Sequence, residues 1–136
     1  VHGEDVWAVG QTDNAVQQGR PLIAHLRDGS WTSTVATGIG SAFSNVTGVT
    51  VAEDTMWAAG TYFDPTSATQ KALIVRQGRS GPQAVPAPSP GSGDNVLGGI
   101  SATGQGVWAV GYDKNGNGRD PLVEYHARNT RARSTR

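Results

Sequence analysis

The chain has 136 residues, 36% hydrophobic and 16% charged, with a formal net charge of zero and no cysteine. Those values fit one globular domain that buries about two-thirds of its unfolded surface, and they exclude disulfides, thiolate metal sites and a thiol nucleophile. No apolar run approaches the length of a bilayer span, and the start lacks the basic and then apolar pattern of a signal peptide.

From the amino end, Val6-Trp7-Ala8-Val9-Gly10 is the first of three near copies of one phrase. Met56-Trp57-Ala58-Ala59-Gly60 and Val107-Trp108-Ala109-Val110-Gly111 follow, with the tryptophans 50 and 51 residues apart. A period of that length belongs to stacked repeat units. Val1 lies six residues before Trp7, as Val51 does before Trp57, so the first unit lacks nearly all of its leading strand. The expectation is a fragment of a longer protein, or one that has lost an export signal and earlier repeats.

Each phrase is followed by a polar loop and an aliphatic segment: Pro21-Leu22-Ile23-Ala24, Ala72-Leu73-Ile74-Val75 and Pro121-Leu122-Val123-Glu124. In the first unit Trp31-Thr32-Ser33-Thr34-Val35 reads as a further strand. In the second, Pro82, Pro86, Pro88 and Pro90 fit an edge strand and a connector. Upstream of the second and third tryptophans, Val46, Gly48 and Val49 match Leu97, Gly99 and Ile100. These segments are short, rich in Val, Ile and Trp and bounded by Gly, Asp, Asn and Ser, which predicts strands; no stretch keeps helical spacing.

The tryptophan strands are apolar on both faces, as strands covered on both sides are. The reading is all-β: a β-propeller segment of about three four-stranded antiparallel blades. The segments at 46–51 and 97–102 are innermost, the tryptophan strands second, the Leu-Ile strands third and 31–35 a fourth. Blade 1 spans about 1–44 and is incomplete, blade 2 about 45–94, and blade 3 about 95–126 and again incomplete. Residues 127–136 form a basic tail, expected to be disordered. The alternative is a β-trefoil, whose three repeats are generally shorter than these. Faces of the end blades left uncovered would be met by a second copy or by further blades.

The strongest local motif is Asp113-Lys114-Asn115-Gly116-Asn117-Gly118-Arg119-Asp120, with Glu124 twelve places in. Oxygen donors at Asp113, Asn115, Asn117, Asp120 and Glu124 have calcium-loop spacing; the competing reading is a polar hairpin whose Asn-Gly steps supply positive φ. Glu4-Asp5 and Glu53-Asp54 recur with the repeat and read as turns. His25 and His126 read as structural. No Gly-x-Ser-x-Gly elbow is present, and Gly38-Ile39-Gly40 is too short to cradle phosphate. Trp31, Tyr62 and Tyr112 flank loops and are the candidate ligand-binding aromatics. Arg128, Arg131, Arg133 and Arg136 hold the positive charge in the tail, so the body is mildly acidic and fits no broad nucleic-acid surface.

The Val-Trp-Ala-Val-Gly phrase, Pro21 to His25, and Asp28-Gly29-Ser30-Trp31 resemble the repeats of exported bacterial propeller proteins, especially actinobacterial ones, kelch-like in architecture. The resemblance extends to about His126; it departs where the second unit lacks a match to Trp31 and the third lacks its outer strand. It implies a secreted or cell-surface location; with no catalytic cluster in the sequence, the function expected is a non-catalytic module presenting loops to a protein or glycan, with no cofactor other than calcium at the Asp113 loop. A lectin-like propeller and a fragment of a propeller enzyme are the alternatives.

Overall fold

The computed structural model describes residues 4–13, 19–36, 39 and 43–127. The start with His2, the loop around Asn14, the Gly38 and Gly40 positions and the basic tail beyond Ala127 lie outside the described residues.

Ten strands and no helix make up the described residues: β1 (Val6–Asp13), β2 (Gly19–Arg27), β3 (Ser30–Val35), β4 (Ser44–Ala52), β5 (Thr55–Asp64), β6 (Thr69–Gly78), β7 (Gly81–Val85), β8 (Asn95–Thr103), β9 (Gly106–Asn115) and β10 (Gly118–Ala127). They form three antiparallel sheets, ordered β1-β2-β3 (sheet I), β4-β5-β6-β7 (sheet II) and β8-β9-β10 (sheet III). Among the described residues, only sheet II has both the leading strand and the outer strand expected of a full repeat. No helix among the described residues is long and apolar enough to cross a membrane.

Tight turns set the hairpins. Asp28 and Gly29 (φ 51° and 75°) join β2 to β3, and Glu53 and Asp54 (φ 49° and 61°) join β4 to β5, the left-handed pair that matches strand twist. Pro82 sits in β7, which pairs only with β6 and so loses nothing to the missing N–H.

The sheets pack face to face, and the recurring phrase specifies how. In sheet II, Met56, Ala58, Leu73 and Val75 pack with Trp7, Val9 and Ile23 of sheet I. On its other face Trp57, Ala59, Ala72 and Ile74 pack with Leu97, Ala109 and Leu122 of sheet III. Each indole thus points toward the following sheet, while the next-residue alanine points back and leaves room for the preceding indole. Ala58 and Ala109 are fully buried. Trp108 has no following sheet among the described residues and is 43% exposed, together with Val110, Val123 and Tyr125.

The closing glycine answers to a bulge. The leading strands β4 and β8 each slip register, between Val46 and Gly48 and between Leu97 and Gly99. The slip drives a carbonyl against the tryptophan strand: a Cβ on Gly60 would lie 2.0 Å from the Asn45 carbonyl oxygen, and one on Gly111 would lie 1.8 Å from that of Val96. No other residue fits there.

Sheets II and III are also tied at their leading strands. The Thr47 hydroxyl donates to the Leu97 carbonyl (3.4 Å), and the Ala102 N–H donates to Thr50 Oγ1 (3.1 Å). Between these contacts a Cβ on Gly48 would lie 3.3 Å from Gly99 Cα, so small residues let the two backbones approach.

Candidate functional site

The three aromatic candidates fall in three different sheets. Tyr62, near the end of β5, is half-buried and packs on the core between sheets I and II. It also lines an open cleft of about 800 Å³, whose other walls are Asp64, Pro65, Leu73 and the connector residues Pro86 and Pro88. The connector lies there because its prolines cannot extend the β6–β7 ladder. Asp64 is held below the ordinary carboxylate range by the Ser67 hydroxyl and the Thr66 N–H, which donate to it. An aromatic wall, rigid prolines and a fixed negative charge therefore meet in one concave surface.

Trp31 lies next to the Asp28-Gly29 turn, within the strand read at 31–35. It lies in β3 opposite Leu26, and strand alternation places it on the same face as Val6, Ala8, Leu22 and Ala24. That face of sheet I is not covered by a described sheet, and Trp31 is 56% exposed. Tyr112 lies on the uncovered face of sheet III, with the Arg119 guanidinium 4.7 Å from its ring centre. The two aromatics thus mark opposite ends of the stack.

The hairpin between β9 and β10 brings three of the five oxygen donors together. Asn115 Nδ2 donates to Asp113 Oδ1 (2.7 Å) and to Asp120 Oδ2 (3.0 Å), while Asn115 Oδ1 accepts from the Ser92 N–H (3.1 Å). The amide thus bridges the two carboxylates, giving one N–H bond to each. Asn117 lies in the turn after Gly116, whose φ is 60°. Glu124 stands apart, opposite Ala109 and four positions along β10 from Asp120. Among the described residues no three His, Cys, Asp or Glu side chains are grouped to hold a metal.

Around this hairpin the connector is pinned by polar contacts. Asn95 is fully buried and bonds the Gly91 N–H and the Gly91 and Gly93 carbonyls. Asp94 accepts from the Gln70 N–H and pairs with Lys114 at 3.0 Å, and both contacts hold its pKa below the usual range.

No family model, curated protein or solved structure matches the chain. The reading of the site therefore stands on geometry.

A buried acid–base pair lies between sheets II and III. The Glu124 carboxylate, 4% exposed, lies 3.6 Å from His126 Nε2, and neither group has a hydrogen-bond partner. Burial pushes Glu124 up to about 7 and lowers His126 below its ordinary value. The His126 ring also meets the indole of Trp57 at 6.0 Å, on which Arg76 of the same sheet lies at 5.6 Å. One signal was available: Glu124 occupies the repeat position held by Val75, which is fully buried.

Proposed function

We propose that the chain is part of a β-propeller, each sheet being one blade, and that it serves as an exported, non-catalytic binding module. The observation that carries the architecture is the match of one repeat to one sheet, with Trp57 packed between two of them. A β-trefoil would instead draw strands from all its repeats into a shared barrel. Packing of each sheet on the next leaves strand ends and connectors to form the binding surface, as propellers use them.

The binding surface is the cleft at Tyr62, and its ligand is a protein segment or a glycan. The cleft supports either: prolines offer a rigid apolar wall, and the ring of Tyr62 offers a face on which an apolar side chain or a sugar ring can stack. The exposed Trp31 favours the lectin-like second reading, because an accessible indole is a further stacking surface. The test is binding by immobilised chain to a glycan array and to extracellular proteins, each with Tyr62→Ala. Loss of a signal in the folded variant supports the cleft; retention rejects it. Signal on the array with none from proteins selects the lectin.

A second copy of the chain is the proposed partner for the uncovered ends. The Trp108 face of one copy would meet the Ala8 face of another, repeating the contact between Trp57 and Ala109, and two copies would give six blades. Sedimentation of the parent and of Trp108→Glu tests this, with dissociation of the variant expected.

A further inference from the structure

We propose that the open edge of β1 is a receptor for an extended polypeptide segment of the β4 and β8 type, which adds to sheet I as its inner strand. The inference rests on comparing one position in three sheets. At Gly60 and Gly111 the space where a Cβ would stand is filled by the carbonyl oxygen of a bulged inner strand, at 2.0 and 1.8 Å. At Gly10, the same position in β1, nothing lies within 4 Å. The glycine is present and its reason is missing.

The rest of the slot is formed. β1 pairs with β2 along its whole length and with no other strand among the described residues, so its outer row of N–H and C=O groups is unmatched, the condition under which an extended segment adds to a sheet. The register of the guest follows from the two filled copies. Val46 faces Gly60, Thr47 is the extra bulge residue, and Gly48, Val49 and Thr50 face Ala59, Ala58 and Trp57. In sheet I the guest therefore sets an aliphatic residue opposite Gly10, a Gly opposite Val9, and a second aliphatic residue opposite Ala8.

β4 lies against β1 and would form the far wall of the slot, as β8 does for β4 in sheets II and III. There Thr47 and Thr50 bond across to the Leu97 carbonyl and the Ala102 N–H. A guest with threonine at those two places repeats both bonds toward β4. The partner that fits is thus a segment of the pattern Val-Thr-Gly-Val-Thr, such as Ser44 to Ala52 of this sequence offered as a separate peptide.

The test uses the intact chain and a fluorescein-labelled peptide of the sequence SNVTGVTVA, read by anisotropy, with hydrogen exchange on β1. Saturable binding with new protection of the 6–13 amides is expected, and a scrambled peptide should not bind. Gly10→Ala separates the slot from the fold: its methyl meets nothing in the free chain, so the variant folds as the parent does. It should nevertheless bind the peptide roughly tenfold or more weakly, because the methyl takes the place of the guest carbonyl. Absence of binding, equal binding by Gly10→Ala, or full protection of β1 before peptide is added would each overturn the proposal.

Discussion

The imidazole of His25 lies 3.7 Å from the indole of Trp7 and within 6° of parallel to it, the two residues being register partners on β1 and β2. The same cross-strand place beside Trp57 is taken by Arg76, and beside Trp108 by Tyr125 at 4.7 Å. Three different side chains thus share one task, to lay a flat polarisable group on the indole of their own sheet.

That task has a measurable size. Stacked aromatic pairs contribute about 0.5–1.5 kcal/mol beyond area burial, so His25→Ala should lower the unfolding free energy by that amount and His25→Tyr should restore most of it. Urea denaturation reads both; a His25→Ala variant as stable as the parent would mean that the stack contributes nothing.

The three phrase tryptophans are not equivalent. Trp57, partly buried, lies between its own sheet and sheet III, and Trp57→Ala should cost about 3 kcal/mol, the lower end for a core tryptophan. Trp108, exposed at the end of the stack, should cost about 1 kcal/mol or less in the same experiment at low concentration. Comparable losses would contradict the one-sided cover of the indoles.

Gly111→Ala should be severely destabilising, because the methyl would overlap the Val96 carbonyl and overpacking typically costs about 1–3 kcal/mol or more. Thermal melting of Gly111→Ala beside Gly10→Ala is the check: the first is expected to melt early and the second to melt with the parent or slightly above it.

The Glu124–His126 pair predicts two opposite pH slopes. Glu124 is raised in the fold from 4.5 to about 7, so its contribution is present below about pH 4.5 and is lost as pH rises to about 7. His126 is lowered from 6.5, so its contribution is present above pH 6.5 and is lost as pH falls below that value. The two oppose each other between these limits. His126→Gln should therefore become less stable as pH rises from about 4.5 to 7, and Glu124→Gln less stable as pH falls below about 6.5. The parent should vary less than either, and parallel profiles in the two variants would exclude burial of both groups.

Calcium should leave the melting midpoint of the parent unchanged, because the Asn115 amide already bridges Asp113 and Asp120. Asn115→Asp replaces that donor with a third carboxylate. This variant should be less stable without calcium and should recover with it, since a ligand bound only by the fold raises the midpoint. A calcium-dependent rise in the parent would show that the amide turns to present its oxygen.

Strand order was legible because each residue of the phrase answers to a different neighbour. Trp57 needs a following sheet, Ala58 a preceding one and Gly60 a bulge, so all must recur together. Glu53 and Asp54, read as a turn, form one in which both residues have positive φ. Glu124 was not legible as a buried group, since loop spacing says nothing of strand direction, and four positions along β10 carry it away from Asp120. Trp31 was legible as a strand residue, because the two-residue turn at Asp28 and Gly29 leads straight into β3. The cleft at Tyr62 depends on where Pro86 and Pro88 fold back, a tertiary fact with no local signature.

The stack is also polar in the geometric sense: Trp108 and Val110 face outward at one end, and Ala8 with the exposed Trp31 at the other. Copies that meet by unlike ends join in one direction, as links do. Whether such joining stops depends on the angle each copy turns through: a divisor of the full circle closes a ring, and any other angle yields an open fibre.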